Sequence, residues 1–230
     1  MKERIYVRLI FALLLLTTAF GCTFLAARHL TESYGPVETR TRLVPVSKLS
    51  PGSPDYWKDI KPVFDNRCVV CHSCSDAPCQ AKLTSPAAID RGAPKSFLYQ
   101  RSGLIAAAPP RLSVDADSTT EWREKDFFPL LNERMQTPEA NLQAGVLYRL
   151  LDMKRKSPAP DGVRLPKDVD LSLERAQVCP VDAELDSYEK NFPHWGMPFG
   201  FPPIQETEFD KIKTWIAAGA LISEPSLPSP

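Results

Sequence analysis

Proline is the residue that most limits what this chain can become. It occurs 23 times in 230 residues, about twice the ~5% usual in globular proteins. A proline has no N–H to give to a sheet ladder, and inside a helix it clashes with the preceding turn. Central strands and long uninterrupted helices are therefore both disfavoured. The expected fold is mainly α, built of short helices joined by stiff loops, with no large sheet. A hydrophobic share of 43% against 24% charged residues supplies enough apolar surface for a packed core. Lys+Arg and Asp+Glu are equal at 28 each. That balance argues against a nucleic-acid partner, which calls for a basic face.

The N-terminus reads as an export segment. Lys2, Arg4 and Arg8 precede an uncharged apolar run from Leu9 to Ala27, the layout of a signal peptide. The run would be about 28 Å long as a helix, close to the thickness of a bilayer core. Residues 1–27 are thus expected to be a signal peptide or a membrane anchor. Ala19 and Gly21 would suit cleavage before Cys22. The rest of the chain is then expected in the periplasm, associated with the membrane.

Residues 28–53 read as an extended tether, with prolines at 36, 45 and 51 and Ser and Thr between them. A domain is expected over 54–224. Ser53-Pro54 would open its first helix, whose buried face is Trp57, Ile60, Phe64 and Cys68, with a kink or restart at Pro62. Ser118 to Glu121 forms a capping box for a short helix through Trp122. Thr137-Pro138-Glu139 starts the clearest helix, striped by Leu142, Val146, Leu150 and Met153 and ending in Lys154, Arg155 and Lys156. Those three cations read as a solvated helix end, too few for an anionic-lipid site. Residues 183–191 look like a polar helix. The last helix, about 206–218, would bury Phe209, Ile212 and Ile216 and end at Gly219. Residues 225–230 look like a linker.

The chemistry concentrates in Cys68-Val69-Val70-Cys71-His72, the C-x-x-C-H pattern of c-type haem attachment. Two thiols three residues apart on one turn can add to the two vinyl groups of a haem. The histidine that follows is then turned beneath the ring to bind iron. From this composition the pattern is expected by chance on the order of 0.002 times. A tetrahedral zinc site drawn from Cys68, Cys71, His72, Cys74 and Cys79 is the rival, and a redox dithiol would want a βαβ context that is missing. Cys74, Cys79 and Cys179 are left over. A Cys74–Cys79 disulfide and one using Cys179 both stay open.

A c-type haem takes a sixth ligand or keeps an open face. Met197, in Pro193-His194-Trp195-Gly196-Met197-Pro198, has the setting of a distal methionine, and such ligation would raise the reduction potential. His194 is its competitor. The expected outline is a cytochrome c-like haem domain: first helix, haem motif, distal Met197, closing helix. His72 and Met197 stand 125 residues apart, so a long, proline-rich helical insertion (about 80–182) lies between them. Trp122, Phe127, Phe128 and the run Leu104 to Ala108 would either shape a pocket over the haem or pack among themselves.

Beyond the haem motif the chain resembles a family, the bacterial fatty acid cis/trans isomerases, which are periplasmic haem c proteins. The resemblance lies in Arg67 to Cys79, in Asn132-Glu133-Arg134 followed by Pro138 to Leu142, in Asp170 to Arg175 with Cys179-Pro180, and in His194 to Pro198. It covers about 55–222. It implies a covalent haem c on Cys68 and Cys71 with His72 as proximal ligand. It also implies a substrate among the cis-unsaturated acyl chains of membrane phospholipids. Oxidised iron would lower the bond order of the double bond, which turns to trans before the density returns. Members of that family run longer, and residues 225–230 are expected to mark a truncation. The alternative is a membrane-tethered c-type cytochrome, whose partner would be an electron-transfer protein.

Overall fold

The computed structural model describes residues 25–73, 77–95, 110–158 and 179–224, with Arg4, Tyr6, Arg8 and the backbone of 99–100 and 103–104. Most of the expected signal or anchor, Cys74, residues 105–108, Asp170 to Arg175 and residues 225–230 lie outside the described residues. No helix among the described residues is long and apolar enough to cross a membrane.

The fold is mainly helical. Residues 25–34 are helical (α1), followed by α2 (Lys61–Arg67), α3 (Pro86–Arg91), α4 (Thr119–Glu124), α5 (Pro138–Gln143), α6 (Val146–Lys156), α7 (Leu185–Asn191) and α8 (Glu206–Ala217). The strands are two-residue pairs. β1 (Leu43–Val44) runs parallel to β6 (Ile222–Ser223). β2 (Ala93–Pro94) is antiparallel to β5 (Phe127–Phe128), and β3 (Tyr99–Gln100) to β4 (Gly103–Leu104).

The first helix begins two residues later than its Ser-Pro signal suggests. Asp55 is the cap: its carboxylate accepts the Lys58 N–H at 2.9 Å, and Asp59 returns the favour to the Asp55 N–H at 3.0 Å. A π-turn over Tyr56–Ile60 leads into α2, where Pro62 sits in the first turn and no intrahelical N–H is missed. The wider π-turn rotates the register, so Tyr56 rather than Trp57 joins Ile60 and Phe64 in the core. These three pack against Phe209, Ile212, Trp215 and Ile216 of α8 and against Leu147 and Leu151 of α6. Gly219 ends α8 with φ +96°, the left-handed conformation that a glycine adopts without steric cost.

The long helix expected from Thr137 is two. Thr137 caps α5 through the Ala140 N–H at 3.2 Å, but Gly145 is extended (φ −101°, ψ 123°). The chain turns there, and the Leu147 N–H donates to the Leu130 carbonyl at 2.9 Å. Periodicity ran on across the break because α5 and α6 bury the same kind of stripe.

Residues 28–53 do not form a free tether. Gly35 accepts from Arg134 at 3.0 Å, β1 pairs with β6, and Arg42 is only 2% exposed. The Arg42 guanidinium donates to Asp90 at 2.8 Å and to the Asn132 carbonyl at 2.8 Å. The same junction holds Glu133, which accepts from Arg123 at 2.7 and 2.9 Å, and Arg134, paired with Asp182 at 3.1 Å. Asn132 donates to Asn141 at 2.9 Å, and Asn141 donates to Ala217 at the end of α8 at 3.1 Å. Proline and Ser/Thr content marks extended backbone, but it does not distinguish a solvated strand from one laid on a buried polar network.

Candidate functional site

A cavity of about 260 Å³ lies between the end of α2, the face of α6 and the loop before α8. It brings together Cys68, Cys71, His72 and Met197. Its walls are almost wholly apolar: Ala81, Leu83, Phe128, Leu130, Val146, Leu147, Leu150 and Leu151 among them. Water gains little there, and an apolar ligand loses none of its own hydrogen bonds on entering.

The cysteine turn hangs from the end of α2. Cys68 caps the helix, its N–H donating to Phe64 at 2.9 Å. The Cys68 carbonyl then accepts from both Cys71 (3.1 Å) and His72 (3.0 Å). His72 is fixed twice more. Its carbonyl accepts the Leu83 N–H at 3.0 Å, and its Nδ1 donates to the Ala81 carbonyl at 2.9 Å. The second bond leaves Nε2 as the nitrogen with a free lone pair, the arrangement seen in ligating histidines. Burial holds the imidazole below its ordinary pKa range, against the opposing effect of the Ala81 bond. Burial also pushes the Cys68 thiol up to about 12, with the Glu208 charge adding to the shift. Arg67 reaches across to Glu208 of α8 at 3.1 Å and ties the turn to the closing helix.

The methionine comes from the other side of the sequence. Its loop lies flat on α6, where the Met197 N–H donates to the Leu150 carbonyl at 2.8 Å. Gly196 makes that approach possible: a Cβ there would stand 2.3 Å from the Lys154 nitrogen and 2.7 Å from the Leu150 oxygen. Phe192 and Trp195 stack with centroids 3.8 Å apart, and Tyr188 donates to the Trp195 carbonyl at 3.4 Å. Lys154 is 1% exposed, with its ammonium donating to the His194 carbonyl at 3.3 Å. The solvated helix end read from Lys154, Arg155 and Lys156 is therefore corrected at Lys154. Arg155 and Lys156 do turn outward, both onto Asp152 at 2.9 and 2.7 Å.

His194, the competitor of Met197, does not line the cavity. Of the aromatic residues considered for the pocket, Phe128 reaches it, whereas Trp122 and Phe127 pack on each other with centroids 4.9 Å apart. Cys79 is bonded to Cys179, with their Cα atoms 5.6 Å apart. The pairing with Cys179 is thus the one formed, and Cys79 is withdrawn from the zinc set. Among the described residues no three His, Cys, Asp or Glu side chains are arranged to hold a metal ion. Cys68 and Cys71 take part in no disulfide.

The sequence reading missed the wall formed by Leu147 and Leu151, and the clamp made by Gly196 and Lys154. The doubled i, i+4 rows of α6, Val146–Leu150 and Leu147–Leu151, signal a helix buried on two adjacent faces. Nothing in the local pattern marks Lys154 as buried.

Neither the curated proteins nor the solved structures contain a match to the chain. A family model described as fatty acid cis/trans isomerase matches residues 107–230, more than half its length. The matched stretch includes α6 and the Met197 loop that form one side of the cavity, and lies downstream of the Cys68–His72 turn. The chain belongs to the fatty acid cis/trans isomerase family.

Proposed function

We propose that this cavity is a haem c pocket and that the chain uses it to convert cis-unsaturated acyl chains of membrane phospholipids to trans. The observation that carries the reading is the convergence of Cys68, Cys71, His72 and Met197 on one apolar cavity from positions up to 129 residues apart. The donor set fits the group. Cys68 and Cys71 would hold it through thioethers, His72 would bind iron through the Nε2 left free by Ala81, and Met197 would supply a thioether ligand. When bound, the haem supplies reversible one-electron withdrawal from the double bond, which is what rotation without net oxidation needs.

The chain's own part is to bind and to exclude water. Leu130, Leu147, Leu150 and Leu151 keep the surroundings dry. Val70 and Phe201 line the cavity yet are 78% and 58% exposed, so they stand at its mouth. An acyl chain drawn from a bilayer through water would lose ~0.8 kcal/mol per methylene. Two apolar side chains at the mouth spare it that passage. The same reading places the protein in the periplasm, where c-type haem is attached, and at the membrane.

The test uses the full chain with covalent haem verified by its absorption spectrum, mixed with cis-monounsaturated phosphatidylcholine vesicles. Trans fatty acid is assayed by gas chromatography. Trans product is expected from the loaded protein and not from the Cys68→Ala/Cys71→Ala variant, which should also fail to retain haem. A fully loaded sample that makes no product would overturn the reading. It would favour the second one, a membrane-tethered electron-transfer cytochrome, which the shared cavity of His72 and Met197 supports because an iron that took both as ligands would have no open position.

A further inference from the structure

We infer that Lys154 is the positioning residue for Met197: its buried ammonium, bonded to the His194 carbonyl, fixes the loop that carries the thioether into the cavity. The inference rests on reading Met197 as a ligand to haem iron. Lys154 sits one turn beyond Leu150 on α6, with 1% of its surface exposed, and among the described residues it makes no ion pair. A lone buried cation is an expensive choice at a site where a leucine would pack without loss. Among the described residues its ammonium bonds to the main chain of the loop, donating to the His194 carbonyl at 3.3 Å. The backbone at the same residue does further work, since Gly196 is pressed against the Lys154 main chain too closely for any Cβ.

The Trp195 N–H donates to the Phe192 carbonyl at 2.9 Å and closes the turn, and further contacts hold the loop at its flanks. Upstream, the Phe192–Trp195 stack and the Tyr188 hydroxyl hold residues 192–195 to α7. Downstream, the Met197 N–H is bonded to Leu150. Between them the chain turns at Pro193-His194, and Lys154 is the side chain of α6 that reaches this turn. Charge strengthens the bond to a neutral carbonyl in a site of low dielectric. Removing the donor takes away this turn's side-chain tie to α6 while leaving every cavity-lining side chain in place, because Lys154 is not among them. A residue that merely filled space would be replaced by leucine without consequence for the loop.

The experiment compares the full haem-loaded chain with Lys154→Leu, Lys154→Gln and Met197→Ala. The readouts are haem content, the sulfur-to-iron charge-transfer band, the reduction potential and amide hydrogen exchange over residues 194–197. Lys154→Leu is expected to keep its haem, lose most of the band and shift in potential toward Met197→Ala, with exchange at the Met197 amide at least tenfold faster. Lys154→Gln, which keeps a donor, should retain more of the band than Lys154→Leu. An unchanged band and unchanged exchange in both lysine variants would overturn the inference. Failure of the ligand reading looks different: Met197→Ala would then leave the spectrum as it was. In that case the exchange rates decide alone, and an unchanged Met197 amide in Lys154→Gln sinks the positioning role whatever binds the iron.

Discussion

Gly196→Ala is the substitution whose cost the geometry fixes best. The added Cβ would meet the Lys154 nitrogen at 2.3 Å, the Leu150 oxygen at 2.7 Å and the Lys154 Cα at 2.8 Å. All three are backbone atoms of α6, so no flexible side-chain tip can yield. Restoring ordinary contact requires the loop to move outward by about 1 Å, judged from the closest of the three distances. That movement stretches the 2.8 Å bond from the Met197 N–H to Leu150 beyond useful length, a net loss of about 1 kcal/mol. Overpacking adds about 1–3 kcal/mol. The total is about 3 kcal/mol, which lowers Tm by roughly 6–12 °C in a domain of this size. Gly52→Ala is the control. Gly52 has φ +77° with nothing within 4 Å of a Cβ, so only the left-handed strain of about 1 kcal/mol applies, or roughly 2–4 °C. The assay is thermal unfolding followed by circular dichroism, with haem content checked in parallel. If Gly196→Ala lowers Tm no more than Gly52→Ala does, the loop is not seated on α6 as described.

Three further outcomes are expected. Arg42→Leu leaves Asp90 buried without its partner, and removing one member of such a pair costs about 3–5 kcal/mol. A urea-unfolding loss under about 1 kcal/mol would instead mean that residues 35–44 are only loosely applied to the domain. Cys179→Ser opens a covalent loop of 100 residues and should cost about 2–4 kcal/mol. Non-reducing peptide mapping of the parent should recover Cys79 joined to Cys179, and recovery of Cys79 joined to Cys74 would refute the pairing. Burial raises the Asp152 pKa, but Lys156 and Arg155 outweigh it and hold the carboxyl below its ordinary range. A folded pKa below the unfolded one means that the unfolded chain takes up protons first. The pair's contribution is then present above about pH 4 and fades as pH falls through the folded pKa. Asp152→Asn should remove about 1 kcal/mol at pH 6 and progressively less as the pH is lowered below about 4, measured as urea midpoints. An equal loss across that range would show that the effect is not ionic.

The helical class was legible from the proline content and the apolar stripes, and the Cys68–His72 turn and Met197, which line one cavity, stood out because each is written in adjacent residues. Cys68, Cys71 and His72 fall within one turn, and a three-residue spacing has few other uses. The caps at Ser118 and Thr137 were legible for the same reason, since their partners lie three residues on. What failed depends on distance along the chain. Nothing near Arg42 announces Asp90, 48 residues later, and nothing near Cys79 chooses between Cys74 and Cys179. The break at Gly145 was hidden by a single glycine inside a regular apolar stripe, and its cause is the Leu130 carbonyl. Lys154 was misread because the macrodipole argument concerns the end of an isolated helix. It carries no information about which chain lies across that end.

The segments that carry His72 and Met197 are each fixed by contacts that do not face the cavity. His72 is locked to residues 81–83, whose neighbour Cys79 is bonded to Cys179. Cys179 begins the stretch that leads through α7 into the Met197 loop, and that loop is seated on α6 by Leu150, Lys154 and the missing side chain of Gly196. Helix α6 also supplies the apolar wall between them. The result is a closed circuit from the cysteine turn through the disulfide and α7 to Met197, and across α6 to the cavity again. Because these contacts belong to the polypeptide, the positions of His72 Nε2 and the Met197 thioether are set before any group is bound. A ligand entering such a site bears little of the ordering entropy that a floppy loop would impose. Under the haem reading, loosening the circuit should therefore disturb Met197 before it disturbs Cys68 and Cys71, which are held independently by the end of α2 and by the Arg67–Glu208 pair.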